Sequence, residues 1–156
     1  MDELRIREML KPEYVFVDAV PEDGGWMGAL KFISRFLAQK SGLNADILLK
    51  EFLAREAIQS TGCGNGIALP HVCFQEDFPP LIAVVSFHTD IEWNAADKDL
   101  VKAVITFVMP KNARQVYLET LAAFSRRLAY EEFCSRLKRI SDAQALYQYI
   151  IQEVCK

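Results

Sequence analysis

Three of the seven glycines fall between Gly62 and Gly66, and His71 follows five residues later, directly behind Pro70. A glycine cluster lets the backbone turn tightly and point several N–H groups at one spot, an arrangement suited to anions. Proline fixes its own φ and removes a donor, so the imidazole of His71 stands on a stiff, extended mount. Imidazole suits reversible phosphoryl transfer near neutral pH, because an unperturbed pKa of about 6.5 leaves much of it neutral and nucleophilic. One ring nitrogen would attack while the other donates to a carbonyl or carboxylate that fixes the tautomer. The amides of Gly62–Gly66 can steady a phosphate dianion, and Arg55 can supply a planar fork for it. Arg55 also has an ordinary alternative, an ion pair with Glu51 one turn back on the same helix face.

Other readings of these residues fit less well. Gly62-x-Gly64-x-Gly66 is not a dinucleotide fingerprint, which needs a strand before it and a helix after it; here a helical pattern precedes and Pro70 follows. His71, Cys63, Cys73 and His88 match no standard metal spacing. Cys63 reads as a packing residue and His88 as a hydrogen-bonded histidine at the end of an apolar strand.

The elements that must hold this segment are legible on both sides of it. Tyr14–Val17 is a short β-rich run, ended by Pro21 and the turn-like Asp23-Gly24-Gly25. Trp26, Leu30, Ile33 and Leu37 lie at helical spacing, and Ser41-Gly42 closes that helix. Asn44 caps a second helix running through Ile47, Leu48 and Phe52 into Arg55 and Glu56. Leu81–His88 and Ala103–Met109 are apolar, β-branched runs suited to buried strands, with turn and charge signals from Asp90 to Asp99 between them. After Pro110, the spacing puts Leu118, Leu121, Ser125 and Leu128 on one helix face. A shorter helical piece surrounds Phe133 and Leu137, and Ser141 with Gln144 resembles a capping box before a last helix bearing Leu146, Ile150 and Val154. Strands mixed with helices, without strict alternation, predict an α/β layered domain over residues 1–156 with a mixed parallel and antiparallel sheet.

The 156 residues suffice for one core, and 51% hydrophobic with 25% charged residues excludes a disordered chain. A net charge of −3 without a basic block gives no footprint for nucleic acid or for an acidic membrane surface. No apolar run approaches the roughly 18–20 residues needed to cross a bilayer, so no membrane insertion is expected. The charged start from Met1 to Glu8 lacks the apolar centre of a signal peptide, and the four cysteines form no C-x-x-C pair. The expectation is a cytoplasmic protein with reduced thiols.

The run Ser60-Thr61-Gly62-Cys63-Gly64-Asn65-Gly66-Ile67-Ala68-Leu69-Pro70-His71 resembles the signature of the enzyme IIA domains of the bacterial phosphotransferase system, fructose/mannitol/nitrogen-regulatory type. The likeness extends back through Arg55-Glu56-Ala57 and forward through Ile91-x-Trp93-x-x-x-Asp97, Phe107-Val108-Met109-Pro110 and Leu118-x-x-Leu121-x-x-x-Ser125. It implies a mixed sheet sandwiched between helices on both faces, with His71 as phosphoryl acceptor. Arg55 and the loop Thr61, Gly62, Cys63, Gly64, Asn65 and Gly66 would lie around it. It further implies phosphocarrier HPr as donor and, as acceptor, a IIB domain of a sugar permease or a regulated protein, with no metal or cofactor in the transfer. Such a chain would serve sugar uptake or, as the alternative, act as a regulatory module that binds other proteins according to its phosphorylation state. The family often carries a second histidine early in the helix after the strand-ending proline; here that stretch reads Tyr117-Leu118-Glu119. Glu119 is therefore the candidate second-site residue, where a carboxylate would repel a phosphate. Cys63, Cys73, Phe74 and Leu100 also depart from the family's usual residues.

Overall fold

Helix formation starts where caps and apolar spacing agree. In the computed structural model, which describes residues 3–74, 77–93 and 100–156, helix α1 covers Glu3–Met9, α2 Gly25–Ser41 and α3 Ala45–Ile58. Gly42 ends α2 in the left-handed conformation at φ 81°, its N–H returning to the Ala38 carbonyl. The Asn44 side chain accepts from the N–H groups of Asp46 and Ile47 and so starts α3. Both ends were legible in the sequence. Helix α1 was not: it is a single short stretch that buries Ile6 and Met9 against the core.

The strands are β1 (Val15–Ala19), β2 (Gly62–Gly64), β3 (Ile67–Ala68), β4 (His71–Phe74), β5 (Leu81–Glu92) and β6 (Leu100–Pro110). Helices α4 (Arg114–Leu128), α5 (Glu131–Arg139) and α6 (Ala143–Val154) follow. The sheet runs β1-β5-β6-β3-β2, with β4 also on β6. Strands β1 and β5 are parallel, β5 and β6 antiparallel, and β3 and β4 both parallel to β6, so the sheet is mixed as expected. The unbroken burial of Ala103–Pro110 shows that β6 is covered on both faces. Helices α2 and α3 pack together, α2 on β5 and α3 on β4; α1, α4, α5 and α6 form the other group, on β1, β5 and β6.

Three expectations need correction. Strand β5 runs on to Glu92, because Ile91 and Trp93 are buried, and only 94–99 of the expected turn lies outside the described residues. The buried face of α4 is Thr120, Ala123, Phe124 and Leu128; Leu118 is 47% exposed and Ser125 faces solvent. Tertiary packing turned this helix relative to the apolar spacing, leaving Leu118 outward. The cap of α6 is Asp142, whose carboxylate accepts from the Ala145 N–H at 2.8 Å, rather than a box built from Ser141 and Gln144.

Candidate active site

Strands β3 and β4 lie end to end along one edge of β6 in a single register: Ile67 opposes Ala103, Ala68 opposes Val104 and His71 opposes Phe107. Leu69 and Pro70 interrupt the strand without shifting it. The Pro70 carbonyl still accepts from Phe107 N–H at 3.0 Å, while Leu69 turns its N–H to the Thr61 carbonyl at 2.9 Å. Beyond the break, alternation buries Val72 and Phe74 and leaves His71 half-buried and Cys73 exposed on the other side of the strand.

The hydrogen bonds of His71 decide its tautomer. Nδ1 lies 2.9 Å from the Leu69 carbonyl, which can only accept, so Nδ1 carries the proton. Arg55 Nε, which can only donate, points at Nε2 at 3.2 Å, so Nε2 holds a lone pair. Arg55 is itself steadied where α3 ends, its Nη1 donating to the Gln59 carbonyl at 2.7 Å, one of the acceptors a helix C-terminus leaves open. Burial holds the imidazole below the ordinary histidine pKa; the Leu69 carbonyl opposes this, the Arg55 charge reinforces it, and Glu56 pulls the other way. The site therefore presents a neutral imidazole with one directed lone pair beside a cation. Such a group can attack phosphorus without first losing a proton.

Next to Arg55 in the chain, Glu56 is 1% exposed. Its carboxylate accepts from Thr61 N–H at 2.8 Å, Thr61 Oγ1 at 2.6 Å and Trp93 Nε1 at 2.8 Å. The glycine-rich segment is a β-hairpin, β2 against β3, whose tip Gly64-Asn65-Gly66 has positive φ throughout. Of the Gly62–Gly66 amides expected to cradle phosphate, Gly62 N–H is engaged by Ser60 Oγ at 3.1 Å, and the Thr61 N–H just before them is taken by Glu56. Among the described residues no amide of residues 61–66 bonds to the His71 ring, and Gly66 lies against the Lys138 side chain of α5. Cys63 places its sulfur over the Thr61 carbonyl, and the protein atoms around that sulfur push the thiol up to about 11, far from a reactive thiolate.

Glu119 does not face His71. It pairs with Arg5 of α1 at 3.0 Å and accepts from Gln115 Nε2 at 2.9 Å. The α4 residue beside the imidazole is Tyr117, with ring centroids 5.7 Å apart; two residues along a helix is more than half a turn, so Tyr117 and Glu119 point different ways. Sequence spacing alone does not set that phase. His88 is exposed, in the irregular part of β5, and holds Asp18 of β1 at 3.0 Å. It lies on β5, on the far side of β6 from the strand that carries His71 and Cys73. The Asp97 position of the sequence motif lies outside the described residues.

Residues 8–153 match the family described as phosphoenolpyruvate-dependent sugar phosphotransferase system, EIIA 2. The chain belongs to this family. Among its EIIA relatives, a nitrogen regulatory protein of Klebsiella oxytoca is 34% identical over 125 residues, covering 80% of this chain and 77% of the relative. The crystal structure of nitrogen regulatory protein IIA-Ntr from Neisseria meningitidis superposes with a TM-score of 0.84 at 23% identity, over 93% of this chain and 98% of that one. Enzyme IIA of mannitol from Escherichia coli, solved in complex with phosphorylated enzyme IIB, gives a TM-score of 0.74 at 16% identity, over 92% and 99% of the two chains. Both structures share the EIIA fold. None of the described helices is long and apolar enough to cross a membrane.

Proposed function

We propose that this EIIA domain carries a phosphoryl group on His71 Nε2, received from phospho-HPr and passed to a partner protein. In the transfer, the Nε2 lone pair forms the new N–P bond in line as the donor's N–P bond breaks and its electrons return to the donor nitrogen. The His71 proton stays on Nδ1, held by the Leu69 carbonyl. Arg55 gives up its bond to Nε2 when the phosphoryl group arrives and turns the same donor to a phosphoryl oxygen, where developing charge needs it. The observation that carries this reading is the pairing of an obligate acceptor on Nδ1 with an obligate donor on Nε2. Together they select the one tautomer whose free lone pair lies beside a cation.

Incubation with phosphoenolpyruvate, enzyme I and HPr should put one acid-labile phosphate on the protein, and none on His71→Ala. Label that is absent, or that persists in His71→Ala, overturns the proposal.

Two destinations for the phosphate follow from the family: the IIB domain of a sugar permease, or a protein regulated by the phosphorylation state. The likeness to nitrogen regulatory proteins, in sequence and in fold, favours the regulatory one. Capture experiments with wild type, His71→Ala and His71→Asp separate them. A regulator retains a non-transport partner in one state and releases it in the other; recovery of a IIB chain alone supports transport.

A further inference from the structure

Burying a carboxylate is unfavourable unless its oxygens are matched by donors. Glu56 meets that demand with Trp93 Nε1 and, twice, with Thr61. Thr61 is also where the backbone links to the nucleophile. Its carbonyl accepts from Leu69 N–H at 2.9 Å, and the Leu69 carbonyl accepts from His71 Nδ1 at 2.9 Å. Leu69 lies between β3 and β4, outside the ladder to β6, so its N–H and its carbonyl are oriented by Thr61 on one side and His71 on the other. A continuous line of hydrogen bonds thus runs from Trp93 through Glu56, Thr61 and Leu69 to the imidazole.

We propose that Glu56 is a positioning residue: acting through Thr61 and Leu69, it aims the carbonyl that holds the Nδ1 proton of His71, and thereby keeps Nε2 as the free nitrogen. Without that hold the Leu69 peptide can rotate, Nδ1 loses its acceptor, and the tautomer protonated on Nε2 becomes competitive. That tautomer has its lone pair on Nδ1 rather than on Nε2, and turns an N–H against the Arg55 donor. The carboxylate also acts at a distance, since its charge raises the His71 pKa against the effects of burial and Arg55. The rate part of this proposal rests on the phosphoryl-carrier reading; the tautomer part does not.

The test measures the ring nitrogens of His71 by long-range proton–nitrogen NMR in the unphosphorylated protein, beside the rate of phosphorylation by phospho-HPr. Wild type should show a protonated Nδ1 and a bare Nε2. Glu56→Ala and Thr61→Val should move His71 towards a mixture of tautomers and slow phosphorylation roughly tenfold, with KM for the donor little changed. Thr61→Ser, which keeps the hydroxyl, should recover most of both losses relative to Thr61→Val. Glu56→Gln keeps an acceptor for Thr61 N–H and Trp93 but removes the charge, so the tautomer should hold while the His71 pKa falls further. A purely structural Glu56 would move neither readout. Should Glu56→Ala fail to fold, Thr61→Val and Glu56→Gln carry the test. A wild-type tautomer in a folded Thr61→Val or Glu56→Ala overturns the proposal, even if His71 is never phosphorylated; a shifted tautomer supports it in either case.

Discussion

Arg55 acts on the imidazole twice, as a donor to Nε2 and as a charge that holds the ring neutral. Arg55→Gln should therefore slow phosphorylation of His71, roughly 100-fold if the guanidinium also meets the charge of the transition state. The same change should raise the His71 pKa in an NMR titration, because a cation that opposed protonation is gone. In the wild type the depressed pKa fixes the pH dependence. Protonation of Nε2 removes the nucleophile, so the rate should stay level as pH falls through about 6.5, the ordinary histidine value, and decline only below it. A rate that halves at or above the ordinary value contradicts this. Tyr117 closes one side of the ring, and its own phenol is held above the usual range by burial, so it stays neutral beside the site. Tyr117→Ala should open the imidazole to water and raise its pKa towards the ordinary value, whereas Tyr117→Phe, which keeps the wall, should leave it low. Titration of the two variants side by side distinguishes a wall from a hydroxyl effect.

The end of α3 and the β2–β3 hairpin form one working part, since the helix carries Arg55 and Glu56 and the hairpin returns the chain to β6 in register with His71. Gly66 anchors that return. Its carbonyl accepts from Lys102 N–H at 2.8 Å and Ala103 N–H at 3.2 Å, and its φ is 77°. A β-carbon there would come within 2.8 Å of the Lys138 side chain, which is flexible and can swing away, but the left-handed backbone cannot relax so easily. Gly66→Ala should lower stability to urea by about 1 kcal/mol, the cost of that conformation for an L side chain. Adding Lys138→Ala should recover little of it. Full recovery in the double variant would show that side-chain crowding, not backbone strain, is the cause. From the sequence, this segment reads as a tight glycine turn whose amides face an anion, not as a hairpin. Its glycines are used for the turn, which neighbouring residues announce, while the destination of its amides depends on Glu56 and Ser60.

Across the molecule, β6 is the strand on which the site is registered, and it is covered on both faces. In its middle the Thr106 hydroxyl is fully buried with no hydrogen-bond partner among the described residues. Replacing it with valine removes an unpaired polar group while keeping the shape, so Thr106→Val should stabilise the fold by about 1 kcal/mol in chemical denaturation. A loss of stability would mean that the hydroxyl is satisfied. The amino-acid sequence by itself determined what depends on adjacent residues: the Asn44 and Gly42 helix ends, the long apolar strands, the glycine turn, the proline mount and the histidine upon it. Backbone preferences and side-chain chemistry act over a few residues, so they can be read without coordinates. Tertiary structure alone decided which imidazole nitrogen is free, that Tyr117 rather than Glu119 stands beside it, and that Trp93 closes on Glu56 from 37 positions away. Those outcomes depend on helix phase and on the direction of hydrogen bonds between distant segments, which the packing of the whole chain sets.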